Sequence, residues 1–504
     1  MLQKIYLFFT LLLLPAVASA SVIRWLVDPK YDHIEYYSED VFKAWSGDKI
    51  QLIDFKGNEI LPYVVDSVTQ YSEGYALALV HSGREFRICG ILSENDHAFK
   101  RIEEEWYATR YSYCSEGCIV VSNAEGKKGY IDYRGNLVIN FLYHGARPFK
   151  KGWASVVPAP KEATYIDRNG STLFVPELSN SQITEASSFN DEGEALLCSF
   201  SKLYIVDTSG KTRKYKLGRG KKTPIRPYDY AYDENAANYV AKHNNSPVFD
   251  GNFVPFAEEG LYGFKTIGEE TAVFAQFNEV GFVSNSCFIA KKDGVYGVVV
   301  MEMGDFQASI LEKDAFAVIG NNSREIPCSI SVPDGMVSNC EIFFDNGDGV
   351  KRPVKLKKGV YRFKPYCSPE SKNCHIVSEV YHNGLLQLRY EKDLDVINIH
   401  VGTPTGKGFA DENDIQKVRS KITNASDIPV DITVVFSATL KAGSKNSITS
   451  KQETRKHLDP NESVDCVLVF NVLEEEQVVV SVSVLKDKTN CGRSEATVSL
   501  KPFY

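Results

Sequence analysis

The feature that most constrains the fold is a short unit that recurs between residues 36 and 300. Each copy has an aromatic residue, a polar turn and a strand, and the third turn residue is Asp40, Gly74, Gly117, Gly152 or Gly193. Those positions follow one another at intervals of 34, 43, 35 and 41 residues. Periods of this length are typical of solenoids and propellers, in which each repeat is one small group of strands.

A hairpin follows most of these turns, as in EGKKGYIDYRGNLVI (125–139). Alternating apolar residues lead to an aspartate, two further residues, a glycine and a second apolar strand. The aspartate can accept hydrogen bonds from backbone amides across the turn, and glycine accepts the positive φ that closes it. We therefore interpret these residues as structural repeat positions rather than as a catalytic carboxylate cluster: Asp54 and Gly57, Asp132 and Gly135, Asp167 and Gly170, Asp207 and Gly210.

Two further copies complete the series. FVSNSCFIAKKDGVYGVVV (282–300) places the equivalent turn residue at Ser286, a gap of 93 residues after Gly193. GLYGFKTIGEETAVF (260–274) retains part of a copy inside that gap. The sequence thus predicts seven copies, of which the sixth in chain order has diverged most. If the array has a binding site, that site should lie where the copies differ.

The hairpin residues carry a family resemblance. Gly129-Tyr130-Ile131-Asp132, Tyr262-Gly263 and Tyr296-Gly297 resemble the WG (KWG) repeats of bacterial proteins. Tyrosine stands in place of the signature tryptophan, whereas Trp45 and Trp153 lie elsewhere in the repeat. The resemblance covers about residues 22–305 and implies a bacterial protein.

One such unit cannot bury its apolar face alone, so neighbouring copies must stack. Radial stacking produces a propeller, which protects its strand edges by closing the ring, and seven copies suit such a ring. An open β-solenoid is the alternative. We therefore expect an all-β protein with a propeller-like WG-repeat domain at 21–305.

Longer alternating strands follow the array and predict two immunoglobulin-like β-sandwiches, at 306–400 and 401–504. The turn FDNGDG (344–349) resembles that of PKD-type domains, and the last hundred residues resemble fibronectin-III modules. A calcium loop is disfavoured in this turn because Gly347 occupies a position where an EF-hand loop needs a ligand.

The N-terminus indicates export. Residues 1–20 combine a lysine, a run of about ten apolar residues and Ala18-Ser19-Ala20, which is the pattern of a secretory signal peptide. No later stretch is long and apolar enough to span a membrane. We expect the mature chain in the periplasm, on the cell surface or outside the cell. In that setting the eleven cysteines suggest disulfides, with Cys466–Cys491 and Cys367–Cys374 as candidates.

Charge and motifs narrow the function. A net charge of −8 with both signs mixed argues against nucleic acid as a partner. We interpret the basic run at 211–222 as a solvated loop. The nine histidines form no metal-binding pair and no G-x-S-x-G motif occurs, so no cofactor, metal or catalytic residue is predicted.

Two classes of function remain open. The first is a non-enzymatic binding or scaffolding protein whose repeat array recognises a protein, peptide or glycan. The second is an extracellular glycosidase-like enzyme with two carboxylates in a propeller mouth. The long insertion at 223–251 is either a loop on a binding face or a tolerated surface insertion.

Overall fold

The computed structural model describes residues 22–173, 182–199, 202–215, 249–302, 304, 306–319, 323–333, 336, 339–406, 408–440, 448–472 and 475–503. Within these ranges the secondary structure is β throughout, with no α-helix, as the sequence predicts. The predicted signal peptide and most of the insertion at 223–251 lie outside them. The chain forms two compact units: one holds Trp25–Asn252 and Phe277–Val300, the other Phe253–Gln276, Met301–Tyr504 and the described residues before Trp25.

Strands β1 to β26 follow the seven copies in order. They are β1 (Val22–Tyr31); β2 (His33–Ser38), β3 (Val41–Ser46) and β4 (Lys49–Asp54) in the first copy; β5 (Ser67–Val68), β6 (Tyr75–Ser82), β7 (Glu85–Ser93) and β8 (Phe99–Arg101) in the second; β9 (Tyr107–Ala108), β10 (Cys114–Ser115), β11 (Cys118–Ser122), β12 (Lys128–Asp132) and β13 (Leu137–Tyr143) in the third; β14 (Gly145–Ala146), β15 (Ala154–Ala159) and β16 (Glu162–Ile166) in the fourth; β17 (Glu185–Ala186), β18 (Glu194–Ser199), β19 (Lys202–Asp207) and β20 (Thr212–Lys214) in the fifth; β21 (Phe253–Glu258), β22 (Leu261–Thr266) and β23 (Thr271–Phe277) in the sixth; and β24 (Glu279–Val280), β25 (Cys287–Lys292) and β26 (Val295–Glu302) in the seventh.

The copies share one pairing register. In six copies, the first residue of the strand before the polar turn pairs with the residue five positions after the turn residue. These antiparallel pairs are His33↔Trp45, Ser67↔Leu79, Tyr107↔Ser122, Gly145↔Val157, Glu185↔Cys198 and Glu279↔Lys291. The second and third copies join in one nine-stranded sheet through β7 and β9. The turn positions found in the sequence therefore mark equivalent points of the folded repeat.

The sixth copy keeps its hairpin. Phe253 pairs with Thr266 in β21–β22, and Cys287 pairs with Val300 in β25–β26, so the two hairpins have the same register 34 residues apart. The turn residue of the sixth copy is accordingly Asn252, which the sequence pattern did not reveal. Phe253–Gln276 belongs to the same compact unit as the C-terminal strands.

The seventh copy contains a strand from the start of the described chain. Its sheet has the order β1-β26-β25-β24, so the N-terminal strand supplies the fourth position that β8, β13 and β20 occupy in other copies. The backbones approach closely at Gly297, where an added Cβ would lie 2.6 Å from the carbonyl oxygen of Val27. Only glycine fits that position without displacing β1.

Successive copies are also joined by hydroxyl groups. Ser72 donates its hydroxyl hydrogen to the carbonyl of Cys114 at 2.7 Å, and Ser115 does the same to the carbonyl of Phe149 at 2.7 Å. These serines occupy matching places in the YSEG and CSEG turns. Each bond satisfies a buried backbone acceptor, which a buried carbonyl requires.

The C-terminal unit contains two pairs of sheets. The strands are β27 (Gln307–Ile310), β28 (Phe316–Val318), β29 (Ile326–Ser331), β30 (Cys340–Asp345), β31 (Arg352–Pro353), β32 (Val360–Phe363), β33 (Asn373–His382), β34 (Leu385–Ile397), β35 (Ile399–Val401), β36 (Thr405–Gly406), β37 (Ile415–Asn424), β38 (Val430–Leu440), β39 (Ile448–Leu458), β40 (Ser463–Asn471), β41 (Glu476–Lys486) and β42 (Thr489–Leu500).

Each pair of sheets shares a hydrophobic core. Sheet β27-β29-β32 and sheet β28-β34-β33-β30-β31 bury Ile330, Phe363 and Leu388 in one cluster. The sheet of β35, β36, β37 and β40 and sheet β39-β38-β41-β42 bury Val418 and Val480 in another. Alternating apolar residues along these strands place one face of each sheet in its core.

Candidate binding site

The aspartates of the repeat hairpins bind their own turns. Oδ1 of Asp132 accepts hydrogen bonds from the backbone N–H groups of Arg134 and Asn136, at 2.9 and 2.7 Å. The other three aspartates make the same pair of bonds to the residues two and four positions ahead: Asp54, Asp167 and Asp207. The paired glycines have positive φ values: Gly57, Gly135, Gly170 and Gly210. These carboxylates are occupied in the turns that contain them.

The two predicted disulfides are not formed, and all eleven cysteines are thiols. The Sγ of Cys374 donates to the carbonyl of Tyr366 at 3.3 Å, while that of Cys367 lies 3.7 Å from the carbonyl of Asn373. Cys466 lies on β40 and Cys491 on β42, in different sheets, and the Cys491 thiol contacts the carbonyl of Thr489. The thiols of Cys367, Cys374 and Cys491 thus each have a backbone acceptor, and spacing along the chain could not show that.

The FDNGDG turn is closed by its own side chains. Oδ1 of Asp345 accepts hydrogen bonds from the N–H groups of Gly347, Asp348 and Gly349 at 2.8 to 3.1 Å. Asp348 forms a bidentate pair with Arg352, at 3.0 and 2.6 Å. Elsewhere in the described ranges, too, no group of three or more histidine, cysteine, aspartate or glutamate residues is arranged to hold a metal ion.

A cavity of about 330 Å³ lies between the third, fourth and fifth copies of the repeat. The short strands β14 and β17 and the loop after β9 contribute most of its walls. Strands β12, β15 and β16 supply the rest. Its lining residues are Thr109, Arg110, Tyr111, Lys128, Gly145, Ala146, Arg147, Ser155, Val157, Ala163, Thr184, Glu185 and Ala186.

The loop after β9, which carries Arg110 and Tyr111 of the lining, is longer than its counterpart in the second copy. Seven positions separate Ser67 from Gly74 in the second copy, whereas ten separate Tyr107 from Gly117 in the third. The longer loop is held by Ser112, whose hydroxyl accepts from the N–H of Thr109 at 2.7 Å and donates to the carbonyl of Val120. The insertion accounts for three of the residues by which this interval of 43 exceeds the neighbouring intervals of 34 and 35.

The cavity is rich in cationic side chains. The guanidinium carbons of Arg110 and Arg147 lie 4.6 and 5.5 Å from the centre of the Tyr111 ring, within the range of cation–π attraction. The ammonium group of Lys128 donates to the hydroxyl of Ser122 at 2.8 Å, and burial lowers the pKa of Lys128. Glu185 is the one acidic residue among the described residues of the lining. The excess of positive charge suits an anionic ligand.

The hairpin aspartates are not among the residues that line this cavity, and no motif pointed to Arg110, Arg147 or Lys128. One signal was available in the sequence: the interval of 43 residues is the longest between the first five turn residues, and it contains this extra loop. That a site lies where the copies differ stays a prediction; at this position the second copy has Gln70 in the loop that corresponds to the one with Arg110.

Comparison with known proteins identifies the repeat. The WG containing repeat family matches residues 52–81 and 129–157. Both matched segments begin in the strand that follows the central strand of one copy (β4 or β12) and end in the central strand of the next (β6 or β15). No curated protein sequence matches the chain. Among the described residues no helix is long and apolar enough to cross a membrane.

Solved structures resemble the chain only weakly. A β-glucosidase from Erythrobacter marinus is 13% identical, with a TM-score of 0.17, over 21% of this chain and 15% of that protein. The native α-2-macroglobulin of E. coli is 8% identical, with a TM-score of 0.20, over 96% of this chain and 40% of its own. The chain therefore spans less than half the length of either protein. Scores of this size identify neither a fold nor an activity.

Proposed function

We propose that this protein is an exported, non-enzymatic binding or scaffolding protein of the bacterial cell envelope. Its repeat array forms the recognition platform for a protein, peptide or glycan. The signal-like residues 1–20 and the match to the WG containing repeat support export and the repeat platform respectively. The C-terminal sheet pairs act as immunoglobulin-like modules that space or attach the platform.

A propeller-like ring is our proposal for the array. Its support is the sheet β1-β26-β25-β24, in which the N-terminal strand completes the last copy. Joining the two ends of an array in one sheet removes the exposed edges that an open solenoid would leave. The equal registers of the copies provide the regular unit that such a ring needs.

The cavity between the third and fifth copies is the observation that carries the binding function. It combines a volume within the range of small-ligand pockets with cationic, aromatic and hydroxyl groups. A glycosidase needs a pair of carboxylates about 5–9 Å apart, and the described lining has Glu185 alone. The composition of the cavity therefore favours binding over hydrolysis.

The test uses the full-length protein and two matched variants. Val157→Phe fills part of the cavity, whereas Val138→Phe makes the same change on an exposed part of β13, where the valine is 42% exposed. Each protein is immobilised, exposed to an envelope extract and applied to a glycan array. We expect the wild type and Val138→Phe to retain the same ligands and Val157→Phe to lose them. Equal retention by all three proteins would show that the cavity is not the recognition site.

A further inference from the structure

The residues that line the cavity indicate the chemical class of its ligand. Arg110 and Lys128 form no ion pair with any residue that the structure describes, although both line the same small space. Three cations with Glu185 as the one carboxylate of the described lining leave an excess of positive charge, which favours a bound anion. The N–H donors of arginine lie in the plane of the guanidinium group and bind planar oxyanions in pairs. They stay available when the face of the guanidinium packs on an aromatic ring.

We infer that this cavity binds the carboxylate of an acidic saccharide, that is, a hexuronate residue of an envelope or extracellular glycan. Arg110 and Arg147 hold the carboxylate, Lys128 adds a third positive charge, and Glu185 accepts hydrogen bonds from sugar hydroxyl groups. This inference rests on the proposed function, because it names the ligand class of the same site.

The lining favours a sugar over an acidic peptide. The apolar part consists of small side chains, Ala146, Ala163, Ala186 and Val157, which form a shallow surface for the C–H face of a sugar ring. Many peptide-binding sites use a deep pocket for a large side chain or a free sheet edge. The short strands at the cavity supply no sheet edge of useful length, because β14 and β17 are edge strands of only two residues each.

Hydroxyl groups add to this preference. Thr109, Ser155 and Thr184 line the cavity. The Ser155 hydroxyl donates to the carbonyl of Ala186 at 3.0 Å, so its oxygen lone pairs remain able to accept from a ligand. A uronate carries hydroxyl groups and a carboxylate on one ring. Hydroxyl acceptors next to the arginines that bind the carboxylate therefore suit a uronate.

The experiment measures binding of a panel of hexuronate trisaccharides to the full-length protein by titration calorimetry. The panel contains galacturonate, mannuronate and glucuronate oligomers, and their methyl esters serve as neutral analogues of the same shape. A triglutamate peptide tests the alternative ligand class. Arg110→Gln and Arg147→Gln remove one cation each. Arg134→Gln is the matched control, since Arg134 also lies over a tyrosine, Tyr133, at 5.4 Å, but outside the cavity. Circular dichroism verifies that each variant is folded.

We expect at least one uronate trisaccharide to bind, its methyl ester to bind about tenfold more weakly, and each cavity arginine variant to lose about tenfold in affinity. Arg134→Gln should bind like the wild type. Equal binding of the ester overturns the anion assignment, and binding of triglutamate without any uronate overturns the saccharide assignment. If no probe binds while envelope capture still depends on Val157, this inference fails and the proposed function stands. If capture is also independent of Val157, both fail.

Discussion

Single residues of this chain show how burial controls thiol chemistry. Nine of the eleven cysteines are buried, and Cys198 and Cys340 are half-buried. Burial raises the pKa of the Cys114 thiol far above its usual range, and the carboxylate of Glu73 beside it acts in the same direction. Burial also raises the pKa of Cys491 to about 11. Since the thiolate is the reactive form, most of these side chains should be inert in the native protein.

Alkylation tests the state of the cysteines. In the native protein at mildly alkaline pH, iodoacetamide should modify at most Cys198 and Cys340, because the other nine thiols are buried. After unfolding without a reductant, all eleven should react. Peptide mass spectrometry reads out each site. Protection of Cys367 with Cys374, or of Cys466 with Cys491, in the unfolded chain would instead demonstrate the bridges predicted from the sequence.

At the scale of elements, neighbouring turns are connected by carboxylates. Glu73 accepts hydrogen bonds from the N–H groups of Glu116 and Gly117 at 2.7 and 3.0 Å. Glu116 in turn accepts from the N–H of Gly152 at 2.9 Å. Each glutamate thus satisfies donors in the turn of the following copy. Both have positive φ values, 50° and 52°, which orient the turn for this contact.

Glu73→Gln tests this connection. The neutral amide keeps an acceptor but loses the charge-assisted part of two hydrogen bonds, so we expect the free energy of unfolding to fall by about 1 kcal/mol. Urea denaturation of the full-length protein measures the change. Glu125→Gln is the control, because Glu125 is exposed in a nearby turn and its side chain makes no such bond within the described structure. Equal stability of the two variants would contradict the role given to Glu73.

The hairpin aspartates should make stability depend on acid pH. Bonds from the Ser171 amide lower the pKa of Asp167, and the Ser209 hydroxyl lowers that of Asp207. A lowered pKa in the folded state means that the stabilisation is complete above the unfolded value and is lost as the pH falls below about 4. The double variant Asp167→Asn and Asp207→Asn should therefore lose less stability than the wild type between pH 5 and pH 2. Thermal unfolding across that range measures it; identical pH profiles would argue against these two groups.

At the scale of the whole molecule, the repeat array depends on a contact between distant parts of the chain. β1 and β26 belong to one sheet although more than 260 residues separate them. Such pairing has a large entropic cost, and the contacts between the strands offset that cost only when the remaining copies are in place. The core of the seventh copy includes side chains from both ends, such as Val27 and Val298.

Gly297→Val tests this long-range pairing. The new side chain would lie 2.6 Å from the Val27 carbonyl and 2.9 Å from the Pro29 nitrogen, so β1 has to move away. We expect a loss of about 2 kcal/mol in the free energy of unfolding and faster proteolysis of the N-terminal strand. Gly251→Val is the matched control, since a Cβ there meets nothing within 4 Å. Unchanged stability and unchanged proteolysis in Gly297→Val would contradict the pairing of β1 with β26.

The sequence by itself determined the β class of this protein and the repeat with its turn positions. The pattern around Asp132 and Gly135 is local, since a turn places its acceptor and its positive φ within four residues. For that reason the pattern recurs in copy after copy with the same hydrogen bonds. The strand register shared by six of the copies follows from those turns. The turn at Asn252, in the sixth copy along the chain, was missed because the residues around it have diverged.

Only the tertiary structure decided which residues meet. Arg110, Lys128, Arg147 and Glu185 come from three copies and share no motif, and β1 reaches β26 across most of the array. The thiols of Cys367 and Cys374 are satisfied by backbone carbonyls rather than by each other. The physical reason is common to these cases. Local turns are specified by the hydrogen-bonding capacity of a few adjacent residues. Cavities and the pairing of distant strands depend instead on packing between segments that are far apart in the sequence, and their distance in the sequence does not indicate their distance in space.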